Sequence, residues 1–275
     1  MAGVRKQNVF NTIWAAIKFV SFWLGVVIQV PIIALLPRGK WSSRYFAVLM
    51  STLVFLLGIR VKVNGKLSGK RPLLVVCNHI SVFEFGTFPI ALGGNFFGKK
   101  EIESFPVVGW IAKKLGVIFI DRRPSQAMNA LEIVQKQMEK IDYPMFLFPE
   151  GTTTNGAYVK EFKSTLFNFV VGSDITVQPI VMNYRYHDGA VIDDETLAEH
   201  FAYFDNAKQD IGPKCSRERS AFSQVFHIMV LGGFNVEITV LPPPPLAGMD
   251  RKQIAVTLHK IISDKYMELK DKKND

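Results

Sequence analysis

PLLVVC at residues 72–77, running straight into NHISVFE at residues 78–84, decides the fold. A short unbroken apolar run has the length of a strand buried on both faces, which is the habit of parallel sheets covered by helices. Asn78, His79 and Glu84 then fall just beyond the strand's end, where open α/β sheets place their ligands. Further strands are expected at 95–98, 117–120, 145–148, 175–181 and 236–241, with helices between them. Pro124 suits the first turn of a helix running to Lys140, with Met128, Leu131, Val134 and Met138 on its apolar face. After the proline run 242–245, residues 251–270 read as a terminal helix. Residues 188–220 are polar and aperiodic and read as a long surface excursion. The fold class is α/β: a mixed, mostly parallel sheet flanked by helices.

Upstream the character changes. Residues 19–37 contain 19 consecutive uncharged positions, extended on the N-terminal side by the largely apolar stretch 9–17. As a helix that run is about 28 Å long, close to the roughly 30 Å of a bilayer's hydrocarbon, although Gln29 and Pro31 weaken a straight span. A second apolar run, 45–59, is about 22 Å and too short to span by itself. Basic residues stand on both sides of the first run, at Arg5 and Lys6 and at Arg38, Lys40 and Arg44, so charge favours no single crossing. A helical pair that enters one leaflet and returns fits this pattern, with Trp14, Trp23, Trp41 and Tyr45 near headgroups. A cleaved signal sequence lacks a small-x-small site here, and a hairpin buried in a soluble protein would have to be covered on all sides. The expected division is therefore a membrane-associated pair at 1–60 and a catalytic body at 61–275, on the cytoplasmic side.

The whole chain has 275 residues, 48% of them hydrophobic, and a formal charge of +9. Disorder is excluded, and two cysteines, Cys77 and Cys215, make no disulfide framework. The charge suits an anionic surface. Basic residues are not interleaved with an aromatic readout motif, so no nucleic-acid partner is expected.

His79 and Glu84 form the first chemical candidate. If the chain turns sharply after His79, the carboxylate folds back to hold the imidazole's tautomer and to stabilise the imidazolium formed when it takes a proton. By spacing alone such a pair is more often structural or solvent-bonded. The second candidate is FPEGTTTNG at 148–156, where Gly151 permits close backbone approach and Thr152–Thr154 offer donors to an anionic substrate. Glu150 either fixes that loop or binds a hydroxyl, and an ordinary turn and helix cap is the plain alternative. No esterase elbow, dinucleotide fingerprint or phosphate-binding P-loop is present. His187, His200, His227 and His259 make no ligand spacing around His79, so no metal is expected.

Taken in order, NHISVFE, GVIFIDR (116–122), FPEG (148–151) and VQPI (177–180) resemble the four blocks of the glycerolipid and lysophospholipid acyltransferases. The resemblance runs from about Val61 to Val181, and the apolar N-terminal pair is also like membrane-bound members. It implies that His79 is the base for the acceptor hydroxyl and that Glu84, where that family usually has aspartate, orients it. It places Asn78 among the substrate-binding residues, with the backbone around Gly151 or Asn78 receiving the charge that develops on the thioester oxygen, Arg122 on the acceptor phosphate, and Glu150, Gly151 and Thr152 in the acceptor pocket. Lys163 falls where relatives have a basic residue that contacts phosphate or the donor's phosphopantetheine, and Pro179 is expected to end a short strand near the acyl cavity. Lys99, Lys100, Lys113 and Lys114 lie between the first two blocks and add to the basic field.

The implied reaction transfers a fatty acyl group from acyl-CoA or acyl-acyl carrier protein to a lysophospholipid, with 1-acylglycerol-3-phosphate the first acceptor to expect and no bound cofactor. Acylation of a lyso-amino lipid of the ornithine type, or of lysophosphatidylcholine or lysophosphatidylethanolamine, is the alternative within the class. Lipid hydrolysis lacks its usual serine. A non-catalytic protein of anionic membranes is the reading from a different class.

Overall fold

A computed structural model of the chain describes residues 8–37, 40–104, 106–120 and 134–272. Seven strands form one sheet in the order β1-β7-β6-β2-β5-β3-β4. They are β1 (Arg60–Asn64), β2 (Leu73–Cys77), β3 (Asn95–Lys99), β4 (Ile118–Ile120), β5 (Met145–Leu147), β6 (Thr176–Arg185) and β7 (Asn235–Val240). Every neighbouring pair is parallel except β6 with β7, which is antiparallel. All five residues of β2 are buried, as an apolar strand in the middle of a covered sheet must be.

Three places depart from the expectation. β1 was not anticipated: it is an edge strand whose sequence RVKVN alternates exposed and half-buried residues, so charge on its outer face hides the pattern. Pro179 does not end a strand, because β6 continues to Arg185. Its carbonyl accepts from Leu241 N–H at 3.0 Å on the β7 side, past the end of that ladder, so the donor a proline lacks is missed only there. The Gln178 amide donates to the Leu241 carbonyl at 3.0 Å and fills the gap. The segment 188–220 is not purely surface, since Leu197, Ala198 and Phe201 are buried, with Phe201 edge-on to Phe234 at 5.2 Å. A helix at Ala221–Leu231, hydrophobic almost all round, follows it. The terminal helix runs Arg251–Asp271, opened by an Asp250 capping box. Of the helix expected from Pro124, residues 134–139 are helical, and Pro124, Met128 and Leu131 lie outside the described residues.

The N-terminal apolar runs become α1 (Val9–Leu35), one helix about 40 Å long with Pro31 inside it, and α2 (Lys40–Leu56). Phe22, Ile33 and Leu49 make a small core between them. α1 also lies against the α/β body: Ala15 joins the main core, Phe19 packs edge-on to Phe226 at 5.7 Å, and Lys114 donates to the Ala34 carbonyl at 2.9 Å. Its opposite side carries an exposed apolar stripe through Phe10, Ile13, Ile17, Val20, Leu24, Val27 and Leu35.

The joint between this pair and the body is tight. Two residues past α2 stands Gly58 (φ +73°), whose carbonyl meets Gly233 (φ +90°) so closely that a Cβ built on Gly233 would sit 2.2 Å from it. Gly233→Ala is therefore expected to cost at least about 1–3 kcal/mol. Thermal unfolding in detergent reads this as a lowered midpoint.

Candidate active site

β2 and β5 are neighbours in register, Val76 opposite Leu147, so the segments that follow them, NHISVFE and FPEG, emerge side by side although 71 positions separate His79 from Glu150. The FPEG loop grips the main chain of His79. Its N–H donates to Glu150 Oε1 at 2.6 Å, and its carbonyl accepts from Thr154 N–H at 2.9 Å. The imidazole stacks on Phe148, ring centres 4.2 Å apart.

The chain turns through 82–83 into α3 (Glu84–Leu92), so Glu84 opens a helix whose positive end favours its charge. Its side chain is fully buried, and Oε2 lies 2.8 Å from His79 Nδ1. Oε1 accepts from the Ser81 N–H at 2.8 Å and the Tyr184 hydroxyl at 2.7 Å. A carboxylate held by three donors fixes the proton on Nδ1 and leaves Nε2 as the basic nitrogen. Tyr184 carries no motif and was not found from the sequence. It sits in β6 four residues past VQPI, on a stretch the sequence reading left outside the strand.

Asn78 is buried and bound to β6: its amide donates to the Met182 carbonyl at 2.9 Å, and its carbonyl accepts from Met182 N–H at 2.8 Å. Glu150 is also buried. Besides His79 it accepts from Lys160 N–H at 2.8 Å, so both its oxygens are engaged by backbone and it braces the loop from behind. Burial pushes its carboxyl up to about 8, against those two donors, and the charge of Glu84 adds to the rise. Gly151 (φ +72°) turns tightly beneath Lys163, whose Nζ would lie 2.8 Å from a Cβ built there. The structure thus brings Asn78, His79, Glu84, Glu150, Gly151, Thr152 and Lys163 to one end of the sheet. Arg122 and Arg123 lie outside the described residues.

His79, Gly151, Thr152 and Thr153 line an apolar cavity of about 590 Å³. Phe85, Asn95, Phe96, Gly98, Leu115 and Phe119 also line it, and α2 contributes Phe46 to its wall. A cavity of this size and lining suits a long apolar ligand with one polar end.

The fold is an α/β sheet with a His–Glu pair at a strand end, and the histidine lines an apolar cavity. Residues 59–183 match the family model described as Acyltransferase, so the chain carries a domain of the acyltransferase family. It is 26% identical over 239 residues to a lyso-ornithine lipid O-acyltransferase of Pseudomonas aeruginosa, covering 85% of this chain and 81% of that one. It is 29% identical over 170 residues to the human 1-acyl-sn-glycerol-3-phosphate acyltransferase alpha, covering 59% of each. The fold is similar to the crystal structure of the 1-acyl-sn-glycerophosphate acyltransferase PlsC from Thermotoga maritima, with a TM-score of 0.59, 16% identity and 98% of both chains covered.

Glu150→Gln should cost about 1–3 kcal/mol, because its amide must turn an N–H toward one of the two backbone donors. In the parent the folded carboxyl, at about 8, holds its proton above the ordinary 4.5, so this group's contribution to stability falls as pH rises between those values. Unfolding measured across that window should show the fall in the parent and its loss in Glu150→Gln.

Proposed function

We propose that the protein moves a fatty acyl group from a thioester donor, acyl-CoA or acyl-acyl carrier protein, to the free hydroxyl of a lysolipid. The observation that carries the reading is that His79, paired with Glu84, lines the 590 Å³ apolar cavity. The donor's acyl chain occupies the cavity, which sets its carbonyl beside His79. Nε2 takes the proton of the acceptor hydroxyl as that oxygen attacks the carbonyl carbon. The tetrahedral adduct collapses by breaking the C–S bond, and the leaving thiolate takes the proton from the imidazolium. Glu84 stabilises the imidazolium in between. Thr152 and Thr153, in the cavity lining, and Lys163, over Gly151, face the polar part of the substrates, and Arg122 completes the headgroup site as the resemblance implies. The Asn78 side chain and the Gly151 N–H, which donates to Phe148 O at 3.1 Å, are engaged within the protein, so Asn78 acts by fixing the strand end.

For the acceptor, 1-acylglycerol-3-phosphate follows from the block pattern. Lyso-ornithine lipid is the second reading, favoured by the breadth of the match to the Pseudomonas aeruginosa protein. The pair α1–α2 rests in one leaflet with its exposed stripe toward lipid: residues from Ala15 to Ala34 touch the body, so an upright crossing would drag the sheet into hydrocarbon. The body then lies on one surface of the membrane, taken to be the cytoplasmic one.

Two experiments test this reading. Purified protein in lipid is given each donor with each of the two acceptors, and products are read by mass spectrometry. Acylated product is expected, with His79→Ala reducing transfer by at least about 100-fold. No product from any combination would refute it. Gly98 lines the cavity, where a Cβ would already lie 2.9 Å from Val117. Gly98→Leu should therefore depress transfer of long acyl chains far more than short ones, and equal loss across lengths would place the chain elsewhere.

A further inference from the structure

Glutamate has one more rotatable bond between backbone and carboxylate than aspartate, so a Glu partner holds an imidazole only if something else stops it turning. The Ser81 N–H and the Tyr184 hydroxyl both donate to Oε1, the oxygen that does not face His79, and two donors on one oxygen fix the carboxylate plane so that Oε2 meets Nδ1. Ser81 N–H comes from the same turn as Glu84 and moves with it. Tyr184 comes from a different strand and is anchored independently: its ring is buried, packed 4.5 Å from Phe234, and its backbone pairs with Val236 of β7. Asn78 binds both backbone groups of Met182, two residues before Tyr184 on the same face of β6. The strand end that carries His79 is thus tied to the strand that carries Tyr184, and the hydroxyl reaches Glu84 at a set height. Burial, then the Glu84 charge, raises the phenol well above its ordinary value, so it remains a donor.

We propose that Tyr184 is a positioning residue of the catalytic pair, acting through Glu84 to set the strength and direction of the Glu84–His79 hydrogen bond. The inference rests on the proposed role of His79 as base, and its central readout does not require turnover. The ionisable groups around the pair are Tyr184, Cys77 and Glu150, with Tyr266 behind Tyr184.

The test compares the full chain with Tyr184→Phe, Glu84→Asp and the double variant in detergent micelles, with ¹⁵N-labelled histidine. Phe keeps the ring and its packing, and thermal unfolding checks that each variant is folded. Without the phenol, Glu84 directs more charge at Nδ1–H. The Nδ1–H proton resonance of His79 should move downfield, and the acidic limb of the pH–rate profile should move to higher pH. The value of kcat/KM should fall about tenfold, through kcat more than KM. In the Glu84→Asp background, where the shorter carboxylate cannot meet both groups, adding Tyr184→Phe should change each readout less than about twofold. An unmoved resonance with a superimposable pH profile in Tyr184→Phe, or the same loss in both backgrounds, would overturn the proposal. A moved resonance in a parent that transfers no acyl group would leave Tyr184 as the positioning residue and refute the proposed function alone.

Discussion

Glu84 has no solvent with which to share its charge, so the protein must supply every partner the carboxylate has. It does so with three donors from three places: the turn it belongs to, the histidine it serves, and a tyrosine on the neighbouring strand β6. A buried charge left unpaired costs several kcal/mol, so these three groups are forced to coincide if the chain folds at all. Much of the local architecture follows. The apolar β2 delivers the turn, the Asn78 clasp on Met182 fixes its height, and Glu150 pins the main chain of His79 from the other side. The histidine's orientation is a by-product of satisfying a buried carboxylate.

The same constraint links the N-terminal helices α1 and α2 to the site. Glu84 is the first residue of α3, and α3 packs on α2 so closely that a Cβ on Gly86 would lie 3.3 Å from a Val54 methyl. α2 also places Phe46 in the wall of the cavity. The helices whose apolar stripe faces away from the body therefore also shape the space where an acyl chain fits.

What the sequence disclosed depended on how many faces of an element are buried. β2, covered on both faces, reads as LLVVC without ambiguity, whereas β1 keeps Arg60 and Lys62 on an open edge and reads as a linker. His79 and Glu84 were legible because a turn brings near neighbours together. Tyr184 was not, because 100 positions separate it from Glu84 and only the β6–β2 pairing joins them. The segment 188–220 looked like surface because polar clasps hold it, as in Glu199 with Ser216 and Arg219, and such contacts leave no period in the sequence. Glu150 read as a pocket residue from its motif, and only the two backbone donors show that it works from behind.

The central claim is that a single apolar cavity brings the acyl carbonyl to the basic nitrogen of His79. A structure of the protein with a non-reactive acyl thioether, in which a methylene replaces the carbonyl of the donor, tests it most directly. The account predicts the chain within the cavity between Phe96 and Phe119, with the methylene that stands for the carbonyl carbon beside His79 Nε2. A chain lodged between α1 and α2, or one that enters the cavity with its head remote from His79, would contradict it.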